Sequence, residues 1–180
     1  DISCENIVNG CNKLTTLEVS NWNTGKVTNM RMMFGANYGK EMGLTQIDVS
    51  KWDMSSAKVL DHMFYGCGNL ESIDVRNWDV SNVRSFSHMF ADCYSLKHID
   101  ISNWNTENVE SFDAFLNDCQ SLESIDVSNL KTSTCKQFSQ MFENCVNLKE
   151  IIGIENLDVS NANYYAFSEM FHCCKSLKSL

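Results

Sequence analysis

The 180-residue chain contains no proline and only eight glycines. Average usage would place about nine prolines in a chain of this length. Their absence excludes collagen-like and proline-rich linker classes and argues against a chain dominated by irregular loops. Basic residues are also scarce: 14 Lys and Arg stand against 23 Asp and Glu, a formal net charge of −9. Nucleic-acid binding needs a basic stripe to displace counterions, and an anionic membrane surface repels this balance, so neither partner is expected. No run approaches the roughly 18 apolar residues of a membrane span, so no direct membrane insertion is expected. The stretch from Asp1 to Gly10 lacks the charged start and apolar centre of a signal peptide. A chain that opens on Asp1 rather than Met reads as a processed or excised piece. What the chain does have is a 43% hydrophobic fraction, enough for one core.

Internal repetition organises that fraction. The pairs Met63-Phe64, Met89-Phe90, Phe115-Leu116 and Met141-Phe142 follow one another at intervals of 26 residues, with Met33-Phe34 30 before the first and Met170-Phe171 29 after the last. Full repeats therefore run approximately 14-43, 44-69, 70-95, 96-121, 122-147 and 148-176, as a single repeat domain over 1-180. Residues 1-13 read as the end of an earlier repeat and 177-180 as the start of a further one. In each repeat one half alternates apolar residues, as at Ile73 and Val75, the pattern of a half-buried strand. The other half, Ser81 to Phe90, spaces its apolar positions by three, three and one, which predicts a short helix with Ser81 as N-cap. About six full repeats of a parallel strand plus a short helix predict an α/β solenoid, leucine-rich-repeat-like, with a stack on the order of 30 Å long at about 4.8 Å per strand.

The pattern L-x-x-I-D-V-S-N-W-D-x-S-N-V-x-x-F-x-x-M-F-x-x-C, nearly intact from Leu70 to Cys93, resembles the bacterial surface protein 26-residue repeat family, the BspA-like relatives of leucine-rich repeats. The likeness covers essentially the whole chain and departs at Leu130 and Cys135, where Trp and Val are expected, and in the longer last repeat. It implies a β-α solenoid on secreted or surface-anchored proteins, hence an extracellular or cell-surface location and a role in adhesion or protein-protein interaction.

Three columns are candidates for function. Glu18, Asp48, Asp74, Asp100 and Asp126 form an acidic strip just after the first core position of the strand. Alternation turns it outward, and like charges on neighbouring strands repel. It is either solvated, with nearby Ser and Asn donating hydrogen bonds, or a binding strip for a basic partner or loosely held divalent cations. Asn21, Asn77, Asn103 and Asn129, with Lys51 in the gap, form a row beside the tryptophans that reads as structural. Cys11, Cys67, Cys93, Cys119, Cys145 and Cys174 share one column. In-register Cα atoms would lie within disulfide range, yet parallel side chains do not face each other, so the column reads as structural, a buried ladder of small thiols. Cys4, Cys135 and Cys173 lie off it, and exposed Cys4 or Cys173 would allow a redox-sensitive assembly. Trp22, Trp52, Trp78 and Trp104 share a column that passes to Leu130; exposed it would be a carbohydrate- or partner-binding platform, and the Leu favours a structural, buried role. His62 and His88 share a column with Met32, Ala114, Gln140 and Glu169, a tolerance that reads as surface.

Neither a zinc motif nor a catalytic motif is present, and repeated columns give extended surfaces where an active site needs unlike groups in one pocket. The chain is therefore expected to be non-enzymatic, without metal or cofactor. The expected function is a cell-surface or secreted module that meets a protein or surface glycan ligand through an extended polar face. The alternative is a structural protein, a homo-oligomer whose copies self-assemble end to end into a filament or sheet, because unpaired edges and no polar cap stand at either end.

Overall fold

The computed structural model describes residues 2–180. Backbone pairing between residues about 26 apart dominates it and stacks the chain as successive coils. Six short strands are present: β1 (Ile2–Ser3), β2 (Thr16–Leu17), β3 (Val27–Asn29), β4 (Gln46–Ile47), β5 (Ser124–Asp126) and β6 (Glu150–Ile152). They form three two-stranded parallel sheets, β1-β3, β2-β4 and β5-β6. One row of pairing joins Thr16 to Gln46 and Leu17 to Ile47, passes through the single bridge Ser72 to His98, and ends with Ser124 to Glu150, Ile125 to Ile151 and Asp126 to Ile152. A second row links Asn29, Val59, Ser85, Ser111 and Gln137 in turn.

The expected α/β, leucine-rich-repeat-like solenoid is not what the chain forms. Among the described residues there is no α-helix, and the only helical element is a 3₁₀ turn, Ile154–Asn156, in the last coil. The strands are equally reduced, since the middle coils pair through single bridges. Two features of the backbone exclude a helix from 81–90 onward. First, amides take alternate partners. The N–H groups of Phe86, His88, Phe90 and Asp92 donate to the next coil, at Ser111, Asp113, Phe115 and Asn117, while those of Met89, Ala91 and Cys93 donate back three residues, at 3.1 to 3.3 Å. An α-helix would direct every one of them four residues back. Second, two positions per coil have left-handed φ. One is filled by His62, His88, Ala114 and Gln140 at +50° to +58°, the other by Asp92, Asp118 and Asn144 at +57° to +60°. A single such residue ends a right-handed helix.

The apolar spacing misled because a chain of three-residue turns also repeats every three. Met89 donates to Phe86, Cys93 to Phe90 and Leu96 to Cys93, and all five residues are fully buried. Ser81 is likewise no helix cap: its N–H donates to Asp79 Oδ1 at 3.0 Å in a local turn.

The core runs the length of the stack as side-chain columns. Phe34, Phe64 and Phe90 stack with centroids 5.4 Å apart, and Trp78 and Trp104 stack at 6.5 Å. In the last coil, Gly153 adopts φ +80°, and a Cβ there would lie 2.3 Å from Ser128 Cα, so only glycine lets the chain approach this closely.

Candidate functional site

The acidic strip lies on the strand face, and each carboxylate is tied to its own coil. Asp48, Asp100 and Asp126 accept from both the N–H and hydroxyl of the serine two residues on, at 2.6 to 3.1 Å. Asp74 instead takes Arg76 in a two-pronged contact at 3.0 and 3.1 Å. These hydrogen bonds, the side-chain one foremost, hold all four carboxyls below the ordinary Asp value. Glu18 occupies the same column, exposed. Three shallow depressions of about 520, 360 and 190 Å³ follow one another along this face, sharing Ser72 to Asp74 and then His98 to Asp100 as common walls.

The two other sequence columns turn inward. Trp52, Trp78 and Trp104 are buried, and each Nε1 donates at 3.0 Å to a carbonyl of the preceding coil, Val19, Val49 and Val75. Trp22 stacks on Trp52 at the edge and is 37% exposed. Every cysteine is free. The thiols of Cys67, Cys93, Cys119, Cys145 and Cys174 donate to carbonyls of the preceding coil, at Phe34, Phe64, Phe90, Leu116 and Phe142. Burial pushes these thiols up, away from the reactive thiolate. Cys11 is exposed at the first coil, and off-column Cys135 is buried and pushed up to about 11.

The residues that sequence reasoning missed lie on a second, turn face. A groove of about 530 Å³ opens there, lined by His62, Tyr65, His88, Asp92, Asp118 and Glu143 among others. Its carboxylates are held across coils, and Asp118 also within its own coil by Gln120 Nε2 at 3.1 Å. Asp118 accepts from Asn144 Nδ2 at 3.1 Å, and Glu143 from Asn117 Nδ2 at 3.0 Å and His172 Nδ1 at 3.1 Å. Burial, with the Asp118 charge behind it, pushes the Asp92 carboxyl up, opposed by the neighbouring Tyr65 and Tyr94 hydroxyls. The His62 and His88 rings stack at 4.6 Å and 3°, and burial, then the His88 charge, pushes His62 down to about 4. The left-handed φ at the histidine and aspartate columns bends the backbone on both sides of the groove.

The signal available in the sequence was the adjacency of His62 and His88 in one column, which the variety of residues elsewhere in that column masked.

Among the described residues, no three His, Cys, Asp or Glu side chains are grouped to hold a metal ion, and no helix is long and apolar enough to cross a membrane. The family described as "Mycoplasma protein of unknown function, DUF285" matches residues 2–99 and again 60–180. The chain belongs to this family. Two overlapping matches accord with a chain repeated along its whole length. No curated protein and no solved structure matches it.

Proposed function

We propose that this member of the family is a non-enzymatic interaction module, secreted or held at a cell surface, that lays its strand face against an extended basic partner. The observation that carries the reading is the continuity of that face. The depressions run coil to coil, with Asp48, Asp74, Asp100 and Asp126 along them, each oriented by a local hydrogen bond. A carboxylate has about four acceptor sites, so the two local donors at Asp48, Asp100 and Asp126 and the three at Asp74 leave each with capacity for a partner. Residue-level likeness to BspA-like surface repeats supports the extracellular placement and the adhesive role.

The test is retention on immobilised poly-lysine at low and moderate salt. Exchanging Asp74, Asp100 and Asp126 for Asn is expected to weaken retention more than exchanging Glu107, Glu155 and Glu169 for Gln, which removes the same charge elsewhere. Equal effects of the two triples would sink the strand-face reading.

End-to-end stacking of copies is the second reading. Phe167 stacks on Phe138 at 5.4 Å yet is 45% exposed, and Trp22 at the other end is 37% exposed, so each aromatic column presents an open ring. Sedimentation velocity across a hundredfold dilution decides it: a concentration-dependent series of species is expected from stacking, and a constant monomer rejects it.

A further inference from the structure

The turn-face groove is the one place where the repeat is interrupted by unlike groups that converge. Its lining crosses coils, from His62 and Tyr65 through Asp92 and Asp118 to Glu143 and Asn144, and its volume of about 530 Å³ falls within the roughly 300–1,000 Å³ typical of small-ligand sites.

Its chemistry is two-sided. Asp118 accepts from Gln120 Nε2 and Asn144 Nδ2, both at 3.1 Å, and Glu143 is tied to Asn117 and His172. Each carboxylate is thereby aimed while keeping lone pairs free, and the amides of Asn117 and Asn144 keep a second N–H and a carbonyl oxygen. Tyr65 stands at one wall, in an edge contact with His62 at 5.6 Å, and Tyr38, 94% exposed, at the lip. Planar acceptors and donors side by side next to an aromatic ring match the adjacent hydroxyls and apolar face of a pyranose. A simple cation would use only the acceptors. No Lys or Arg lines the groove, so an anionic ligand would meet three carboxylates in a half-desolvated space without a counter-charge.

We infer that the turn-face groove is a saccharide-binding site that favours sugars bearing a protonated amine, accepts neutral sugars more weakly and rejects sugar acids. The amine sits between Asp92 and Asp118, and the remaining hydroxyls engage Asn117, Glu143 and Asn144. This deepens the interaction-module reading and rests on it only for the absence of catalysis, because the groove and the strand face are separate surfaces.

The experiment is titration calorimetry, with amide NMR shifts, of the 180-residue chain against three trisaccharides: glucosamine, N-acetylglucosamine and galacturonic acid. Binding is expected in that order, with the acid silent. Asn117→Ala, matching Ala91 in the same column, removes an amide that lines the groove and should cost tenfold or more in affinity. Asp118→Asn should abolish the preference for the amine while keeping the acetylated sugar. Binding of galacturonate as tight as glucosamine, unchanged affinity in Asn117→Ala, or no heat and no shifts with any of the three at millimolar concentration overturns the inference. Poly-lysine retention that persists when all three sugars fail removes this site and leaves the strand-face reading intact; the reverse result removes only the strand face.

Discussion

On the strand face Asp100 accepts from Ser102, two residues ahead, whereas on the turn face Asp118 accepts from Asn144, 26 residues ahead. Both are carboxylates with hydrogen-bond donors, yet the first bond survives any loosening of the stack and the second exists only while neighbouring coils stay in register. The same contrast holds for Asp126 with Ser128 against Glu143 with Asn117. Bonds between coils order the molecule along its length, and so a site built from them is pre-arranged by the whole stack. Bonds within a coil set only a local turn, repeated as often as the turn sequence is repeated.

Removing a deep contact between coils tests this contrast most severely. Trp104 is buried, stacks on Trp78 and donates to Val75 of the coil before it. Trp104→Ala is expected to destabilise by about 3–5 kcal/mol, measured by urea unfolding. Trp22→Ala, at the partly exposed edge, should cost clearly less; equal losses would mean that burial within the stack does not set the scale. Next comes Glu143→Ala, which strips Asn117 and His172 of their shared acceptor. The expected cost is about 1–3 kcal/mol, with broadened amide signals in both flanking coils. A change confined to the coil of Glu143 would contradict the coupling.

The His62 and His88 pair sharpens the comparison through pH. His62 is lowered in the folded chain to about 4 from an ordinary 6.5, with Asp61 opposing that shift and Arg31 adding to it. Between those values the unfolded chain binds more protons, so stability falls as pH drops from about 6.5 to about 4. The shift corresponds to about 3 kcal/mol, reduced to about 1–2 kcal/mol because the ring is only half buried. His62→Gln, matching Gln140 in the same column, should flatten that slope in a melting-temperature series, and an unchanged slope would assign it elsewhere. The smallest effect belongs to the strand face. Asp100→Ala removes only a local turn bond and should change stability by about 0.5 kcal/mol or less. Its lowered carboxyl contributes above its unfolded value near 3.8, and that contribution disappears as pH falls through the folded value.

Local features could be read from the residues because their partners are close in sequence. The alternation around Ile73 and Val75 and the D-x-S spacing of Asp100 with Ser102 both act within a few positions, and the structure pairs them there. The conformation of the second half could not be read in this way. A spacing of three serves a helix and a chain of three-residue turns equally, and the choice was made by Phe90 donating to Phe115 of the next coil rather than to its own Phe86. The groove escaped for a related reason. Asp92, Asp118 and Glu143 sit in columns that tolerate many side chains, and only the stacking of coils brings those carboxylates around one groove.

The residue pattern by itself determined the period, which side chains share a column, and that the apolar columns need neighbouring copies to be buried. Tertiary structure alone decided whether each backbone amide bonds within its coil or across to the next, and so whether the chain coils as helix or as turns. Hydrogen bonding to a residue 26 away competes with bonding to one four away at nearly equal energy, and the left-handed φ at His88 and Asp92 is admissible only where the adjoining coils hold it.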